Sequence, residues 1–144
     1  MEEVRTSQIE IYKPIFESPF FNAGPMVCFM WKNDDSWSVE AVSKNIKDNF
    51  GYEDADFFFF LILYVDIVHK DDLQKVISEV KQASKDQKNS FEHEPYRLLT
   101  SSGEYKWVKD TTMILYSQDK EITHFVGYIV DISPLRQAQI ELQN

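Results

Sequence analysis

Apolar and polar residues change places on a period close to two over three stretches near the end of the chain: Phe91 to Thr100, Tyr105 to Ser117 and Ile122 to Asp131. That period is the signature of strands with one buried face. The segments Ser101-Ser102-Gly103 and Gln118-Asp119-Lys120 between them are rich in turn formers. Three consecutive antiparallel strands are expected. Nearer the start, the apolar run Met26–Trp31 meets the polar Lys32-Asn33-Asp34-Asp35-Ser36. Trp37 to Val42 then alternates, with Trp37, Val39 and Ala41 on one side and Ser38 and Glu40 on the other. This predicts a β-hairpin.

Between the two strand groups the period lengthens. Ser43 to Phe50 reads as a short helix, with Ser43 as N-cap and Gly51 as its stop. Leu73, Val76, Ile77 and Val80 recur at helical spacing, so a longer helix is predicted from a cap at Asp71 or Asp72 to about Ser84. Glu53 to Tyr64 enters an apolar run whose period does not separate strand from helix. At the front, residues 2–18 carry a moderate stripe of Val4, Ile9, Tyr12, Ile15 and Phe16. Pro14 is expected to end or kink that helix. At the back, Pro134 sits where a first helical turn tolerates it, and Leu135 to Gln143 continues as helix. Grouped strands and grouped helices indicate an α+β fold. The expected arrangement is a five-stranded antiparallel sheet with short helices and one longer helix on one face, an N-terminal flanking helix and a C-terminal exit helix.

The 144 residues, 43% of them hydrophobic, suffice for one domain with a sizeable core. The net charge of -9 argues against a nucleic-acid partner, whose phosphates demand Lys and Arg, and against contact with an anionic membrane surface. The longest apolar run, Phe57 to Val65, falls well short of the roughly 20 residues a spanning helix needs. Cys28 is the single cysteine, so no internal disulfide or Cys-based zinc site is available. Together with a start that lacks signal-peptide character, this favours a cytoplasmic location.

Several short motifs follow one another in a familiar order. Trp37-Ser38-Val39-Glu40-Ala41-Val42-Ser43-Lys44-Asn45, Phe50-Gly51-Tyr52, Val68-His69-Lys70-Asp71-Asp72-Leu73, Tyr96-Arg97-Leu98 through Gly103 with Lys106-Trp107-Val108, and Gly127 through Asp131-Ile132-Ser133 resemble the successive signatures of a PAS domain. The resemblance covers about residues 20–134. It departs from the pattern at Lys70, where proline is usual, and at the unusually apolar Phe57–Phe60. It implies a layout of flanking helix (1–22), sensory domain (23–133) and signalling helix (134–144). It implies a sensory module of a bacterial signal-transduction protein. Such a module encloses a small-molecule pocket and passes its state to a downstream kinase or cyclase domain.

By that resemblance the residue two before Asp131 points into the pocket. Ile129 is then a lining residue, and Phe125 and Gly127 share its face. The same logic places Phe29 and Trp31 there from the first strand, Tyr96 and Leu98 from the Phe91–Thr100 strand, and Met113 and Leu115 from the strand after that. Ile46 and Phe50 would close the space from the short helix. Alternatively these side chains simply fill the core, and the domain is a ligand-free module for dimerisation or protein–protein interaction. Val126, Tyr128 and Val130 face the other way and need cover from the N-terminal helix or a second copy, so a homodimer is expected. Asp131, Ile132 and Ser133 join both faces to the exit helix as a signal relay, with an Asp cap for that helix as the plainer role.

Candidate chemistry is sparse. His69, His93 and His124 lack ligand spacing. By the resemblance, haem binding would place a histidine on the long helix, where Leu73 to Lys85 has none. A flavin-thiol adduct would need a cysteine where Lys47 to Tyr52 has none. Covalent flavin and haem are therefore not expected, and the ligand stays unidentified. No Ser-His-Asp or Cys-His set and no phosphate loop is present. Asp34-Asp35 and Asp71-Asp72 read as turn and cap carboxylates. An α+β enzyme would need polar groups converging inside, whereas the expected lining is nearly all apolar.

Overall fold

The computed structural model describes the backbone of residues 2–143 and the side chains from Glu10 onward. Helices α1 (Glu2–Glu17) and α2 (Pro19–Asn22) lead into strands β1 (Met26–Lys32) and β2 (Val39–Val42). Three short helices follow, α3 (Ile46–Phe50), α4 (Asp54–Phe58) and α5 (Tyr64–Ile67), then the long α6 (Lys70–Lys85). Strands β3 (Ser90–Glu92), β4 (Tyr96–Leu99), β5 (Tyr105–Tyr116) and β6 (Ile122–Asp131) precede the exit helix α7 (Ser133–Gln143).

The sheet is antiparallel in the order β2-β1-β6-β5-β3, with β4 also on β5. The single strand expected over Phe91 to Thr100 is two. Pro95 has no N–H to give a ladder, and the chain leaves the sheet at residues 93–95. β3 pairs with Thr111–Met113 and β4 with Tyr105–Val108, so two short strands share one edge of the long β5. The α+β class and antiparallel sheet hold, with six strands in five positions.

β2 also differs from a plain alternation. Trp31 pairs with Val39 while Met30 pairs with Ala41, so Glu40 is the extra residue of a bulge. Val39 and Val42 both join the inner core, and Ala41 packs on the outer one. Trp37, just before the strand, has φ 51, an uncommon conformation for a bulky residue.

Capping differs in detail from expectation. Gly51 ends α3 in the left-handed region at φ 87. Ser43 does not cap α3. Its hydroxyl accepts from the Cys28 N–H and donates to the Asn45 side chain, which in turn donates to the carbonyls of Gly24 and Met26. α6 is capped by His69, whose Nδ1 accepts from the Asp71 N–H at 3.0 Å, rather than by Asp71 or Asp72. α1 runs through Pro14 without ending there. Phe16, beyond the proline, is buried against the sheet, and the Asn22 amide donates to its carbonyl.

Two cores result. The inner one gathers Phe29, Ile46, Phe57, Tyr96 and Ile129 among others, under α3–α6. The outer one joins Phe16 of α1 to Cys28, Met30, Leu115 and Val126. The N-terminal helix therefore covers part of the sheet's back, while Met113 and Tyr128 on that face stay exposed.

Candidate functional site: a polar network inside the sheet

β5 decides what faces inward. Its buried positions Val108, Asp110, Thr112 and Ile114 alternate with Lys109, Thr111 and Met113. Two polar residues thus enter the inner core, and Met113 and Leu115 belong to the opposite face. Met113 is 39% exposed and Leu115 lies in the outer cluster beneath α1, so neither lines the interior. The phase of β5 is the reverse of the one expected. Lys109 carried the missing signal, because its ammonium rarely points into a core.

The other residues expected at the pocket lie in the inner core, but in different parts of it. Trp31 and Phe125 line an interior cavity together with Tyr64 and, from α6, Val80. Phe29 stacks on Trp31 at 5.2 Å, with ring planes 6° apart. Gly127 lies beneath that ring. A Cβ there would come within 3.0 Å of the Trp31 ring, 2.9 Å of Thr112 Oγ1 and 2.7 Å of the Thr111 carbonyl. Its bareness makes room for Trp31 and the neighbouring strand. Phe29, Ile46, Phe50, Tyr96, Leu98 and Ile129 are buried without lining the cavity.

The polar network beside the cavity was not foreseen. Tyr96 Oη lies 2.6 Å from Asp110 Oδ2, and Thr112 Oγ1 lies 2.7 Å from Asp110 Oδ1. Each hydroxyl has one proton to give, and both oxygens of Asp110 accept. Because Tyr96 donates to Asp110, its oxygen accepts from Tyr64 Oη at 2.7 Å. The order is Tyr64 to Tyr96 to Asp110, joined by Thr112. Burial, reinforced by the Asp110 carboxylate, holds both phenols well above their ordinary 10.0. His93, at the break between β3 and β4, gives Nδ1–H to Glu79 of α6 at 2.8 Å and sets Nε2 3.9 Å from Asp110 Oδ2. Glu79 also accepts the Glu94 N–H. Asp110 is 3% exposed.

Trp31 completes the wall. It is 5% exposed, lines the cavity, and its Nε1–H has no hydrogen-bond partner among the described residues. A buried donor without an acceptor costs about 1–3 kcal/mol. The space is small, ≈ 30 Å³, room for a water or two. Two of its lining residues, Trp37 and Val80, also line a surface groove of ≈ 550 Å³ between the β1–β2 turn and α6.

A second constellation sits where β6 becomes α7. Asp131 accepts the Ser133 N–H at 2.8 Å and meets Lys106 Nζ at 3.5 Å. Lys106 also donates to the Asn49 carbonyl of α3. Ile132 N–H donates to the Trp107 carbonyl, and the Trp107 N–H donates to Ser133 Oγ. The Trp107 ring carries Arg136 of α7 at 4.1 Å and Arg97 of β4 at 5.1 Å. Arg97 grips Asp72 of α6 through two guanidinium nitrogens, Nε and Nη2, each at 2.9 Å. That grip holds the Asp72 carboxyl below its ordinary range. Asp131 thus serves the start of the exit helix and pairs with Lys106 at once.

Comparison with known proteins places this architecture. A family model described as the PAS fold matches residues 39–129. The chain belongs to the PAS family. It is 36% identical over 118 residues to the methyl sulfide methyltransferase-associated sensor of Methanosarcina acetivorans, covering 82% of this chain and only 12% of that protein. Among solved structures it resembles the N-terminal domain of a diguanylate cyclase with PAS/PAC sensor from Marinobacter aquaeolei. There the TM-score is 0.63 at 18% identity, covering 77% of this chain and 98% of that one. It also resembles a sensory box histidine kinase/response regulator from Burkholderia thailandensis, with TM-score 0.65, 20% identity and coverage of 84% and 87%. Those two likenesses concern the fold. PAS domains are sensory, non-catalytic modules of signalling proteins. Within this PAS domain Cys28 lies in the outer cluster, and burial pushes its thiol up to about 12. No helix among the described residues is long and apolar enough to cross a membrane.

Proposed function

We propose that this PAS domain is the sensory module of a larger, cytoplasmic signalling protein. A small molecule occupies the interior beside Asp110, and its presence is passed through α7 to a downstream kinase or cyclase domain. The observation that carries the reading is the polar wall inside an otherwise apolar core. Asp110, Thr112, Tyr64 and Trp31, whose buried N–H is unpartnered, line one cavity, and Tyr96, which does not line it, links Tyr64 to Asp110, a costly arrangement for mere packing. The route outward is continuous. Tyr96 neighbours Arg97, which leans on Trp107, and Trp107 holds both the Asp131–Ser133 turn and Arg136. A ligand moves this route only if it binds two arrangements with different affinity.

The small volume favours a second reading, a ligand-free PAS domain whose work is assembly. In either case a homodimer through α1 is expected, since Ile11 and Ile15 are exposed on it while Tyr12 and Phe16 face the sheet. Mass spectrometry of the purified chain under native conditions separates the readings, run alongside hydrogen exchange of α7. A retained mass, with exchange in residues 133–143 that changes when it is removed, supports sensing. A bare chain whose α7 exchange responds to no added small molecule refutes it and leaves the assembly reading.

A further inference from the structure

The interior cavity constrains what it accepts, and the inference drawn here rests on the sensing reading above. One wall offers the carboxylate of Asp110. Its two oxygens already accept from Tyr96 and Thr112, and a carboxylate has lone pairs for about four donors. Capacity for a further donor therefore remains inside the core. The opposite requirement comes from Trp31, whose buried Nε1–H lacks an acceptor. Between them the walls are flat and apolar, formed by the rings of Trp31, Tyr64 and Phe125. A purely apolar guest would leave Trp31 unsatisfied. A purely cationic guest would suit Asp110 and the rings but still offer Trp31 nothing. A guest with a donor and an acceptor on one flat edge answers both.

We propose that the cavity takes a small planar molecule with an N–H donor and a lone-pair acceptor on one edge, of the azole or amide type. Its N–H is received by Asp110, its acceptor is met by Trp31 Nε1–H, and it enters past Trp37. The entry follows from Trp37 and Val80, which line both the cavity and the surface groove. A molecule one ring in size exceeds the present ≈ 30 Å³, so the Trp37 side chain swings aside to admit it. Trp37 is held at φ 51, and it follows a polar turn in which the Asp34 side chain accepts from the N–H groups of Ser36 and Ser38. Strained residues of this kind are drawn to moving parts.

The test uses the 144-residue chain and three probes of similar size: pyrazole, which has adjacent donor and acceptor nitrogens; toluene, which has neither; and tetramethylammonium, a cation. Indole N–H signals of the three tryptophans are followed by proton–nitrogen NMR, with that of Trp31 assigned by its loss in Trp31→Phe. Pyrazole is expected to move the Trp31 signal saturably, with toluene and tetramethylammonium at least tenfold weaker. Trp31→Phe keeps a ring at the site and removes one hydrogen bond, so pyrazole binding, followed on the Trp37 signal, should weaken about tenfold. Asp110→Asn should weaken it similarly. If that variant does not fold, Trp31→Phe alone decides. Toluene or tetramethylammonium binding as well as pyrazole overturns the proposal. So does unaltered pyrazole affinity in Trp31→Phe, or no saturable shift with any probe. If toluene binds and still alters α7 exchange, the sensing reading survives and only the ligand class falls. If pyrazole binds as expected and α7 does not respond, the class stands and the relay falls.

Discussion

At the scale of single residues, the interior depends on small atoms in fixed places. Gly127 has Thr111's carbonyl oxygen 2.7 Å from where a Cβ would stand, and a backbone oxygen in a central ladder cannot rotate away. Gly127→Ala should cost about 1–3 kcal/mol, as overpacking does, read from the denaturation midpoint. The hydroxyl chain makes an asymmetric prediction. Tyr96→Phe removes a donor from buried Asp110 and also strands the Tyr64 hydroxyl, so it should cost about 1–3 kcal/mol. Tyr64→Phe removes only the outermost link and should cost about 0.5–1.5 kcal/mol. Equal costs would sink the proton order Tyr64 to Tyr96 to Asp110. The same phenols set an alkaline limit. Their folded pKa values are raised, so the stability they contribute is complete below the unfolded value of 10.0 and is lost as pH climbs past it. Denaturation midpoints should fall above that pH, less steeply in Tyr96→Phe. The sequence displayed every one of these residues but not their convergence. Asp110 and Thr112 share a face with Val108 and Ile114, and that phase is visible only if Lys109 is used to exclude the alternative. Tyr64 sits in an apolar run without a readable period, and Trp31 was legible as a core residue but not as a donor in want of an acceptor.

At the scale of elements, α7 contributes no buried side chain, so its position depends on a few contacts at its first turns. Those contacts converge on Trp107. Its backbone is bonded to Ile132 and Ser133, and its ring lies against Arg136 and Arg97. Arg136→Ala should therefore quicken hydrogen exchange in residues 133–143 while leaving the thermal midpoint of the domain nearly unchanged. An unchanged exchange pattern would show that the ring contact does not hold the helix. The Asp72–Arg97 pair anchors the far end of this chain of contacts on α6. Because Arg97 depresses the Asp72 pKa, its contribution is present above the ordinary carboxylate range and lost as pH falls through it. Asp72→Asn should thus lower the melting temperature at neutral pH and matter less in acid. Strand boundaries on either side of this region were largely legible, and β6 falls where its alternation put it. The helix cap was displaced to His69 and the edge strand was broken at Pro95, because both depend on which partner is nearby rather than on local composition.

At the scale of the whole molecule, the question is what covers the apolar surface that remains. α1 is amphipathic in two directions. Tyr12 and Phe16 pack on the back of the sheet, whereas Ile11 and Ile15, one turn apart, are 66% and 44% exposed. Glu10, Lys13 and Glu17 lie on the other side of Phe16 and line a groove against β2. A stripe like that of Ile11 and Ile15 is self-complementary across a two-fold axis, where each copy offers the same surface to the other. A second copy of this chain is thus the occupant that requires no additional chemistry. The double variant Ile11→Glu, Ile15→Glu leaves Tyr12 and Phe16 in place, so it should keep the fold by circular dichroism and thermal midpoint. By light scattering the parent chain should have twice the mass of the variant at equal concentration. A parent that is monomeric at high concentration removes the dimer. A variant that stays dimeric moves the interface off α1, to the exposed part of the outer sheet around Met113 and Tyr128.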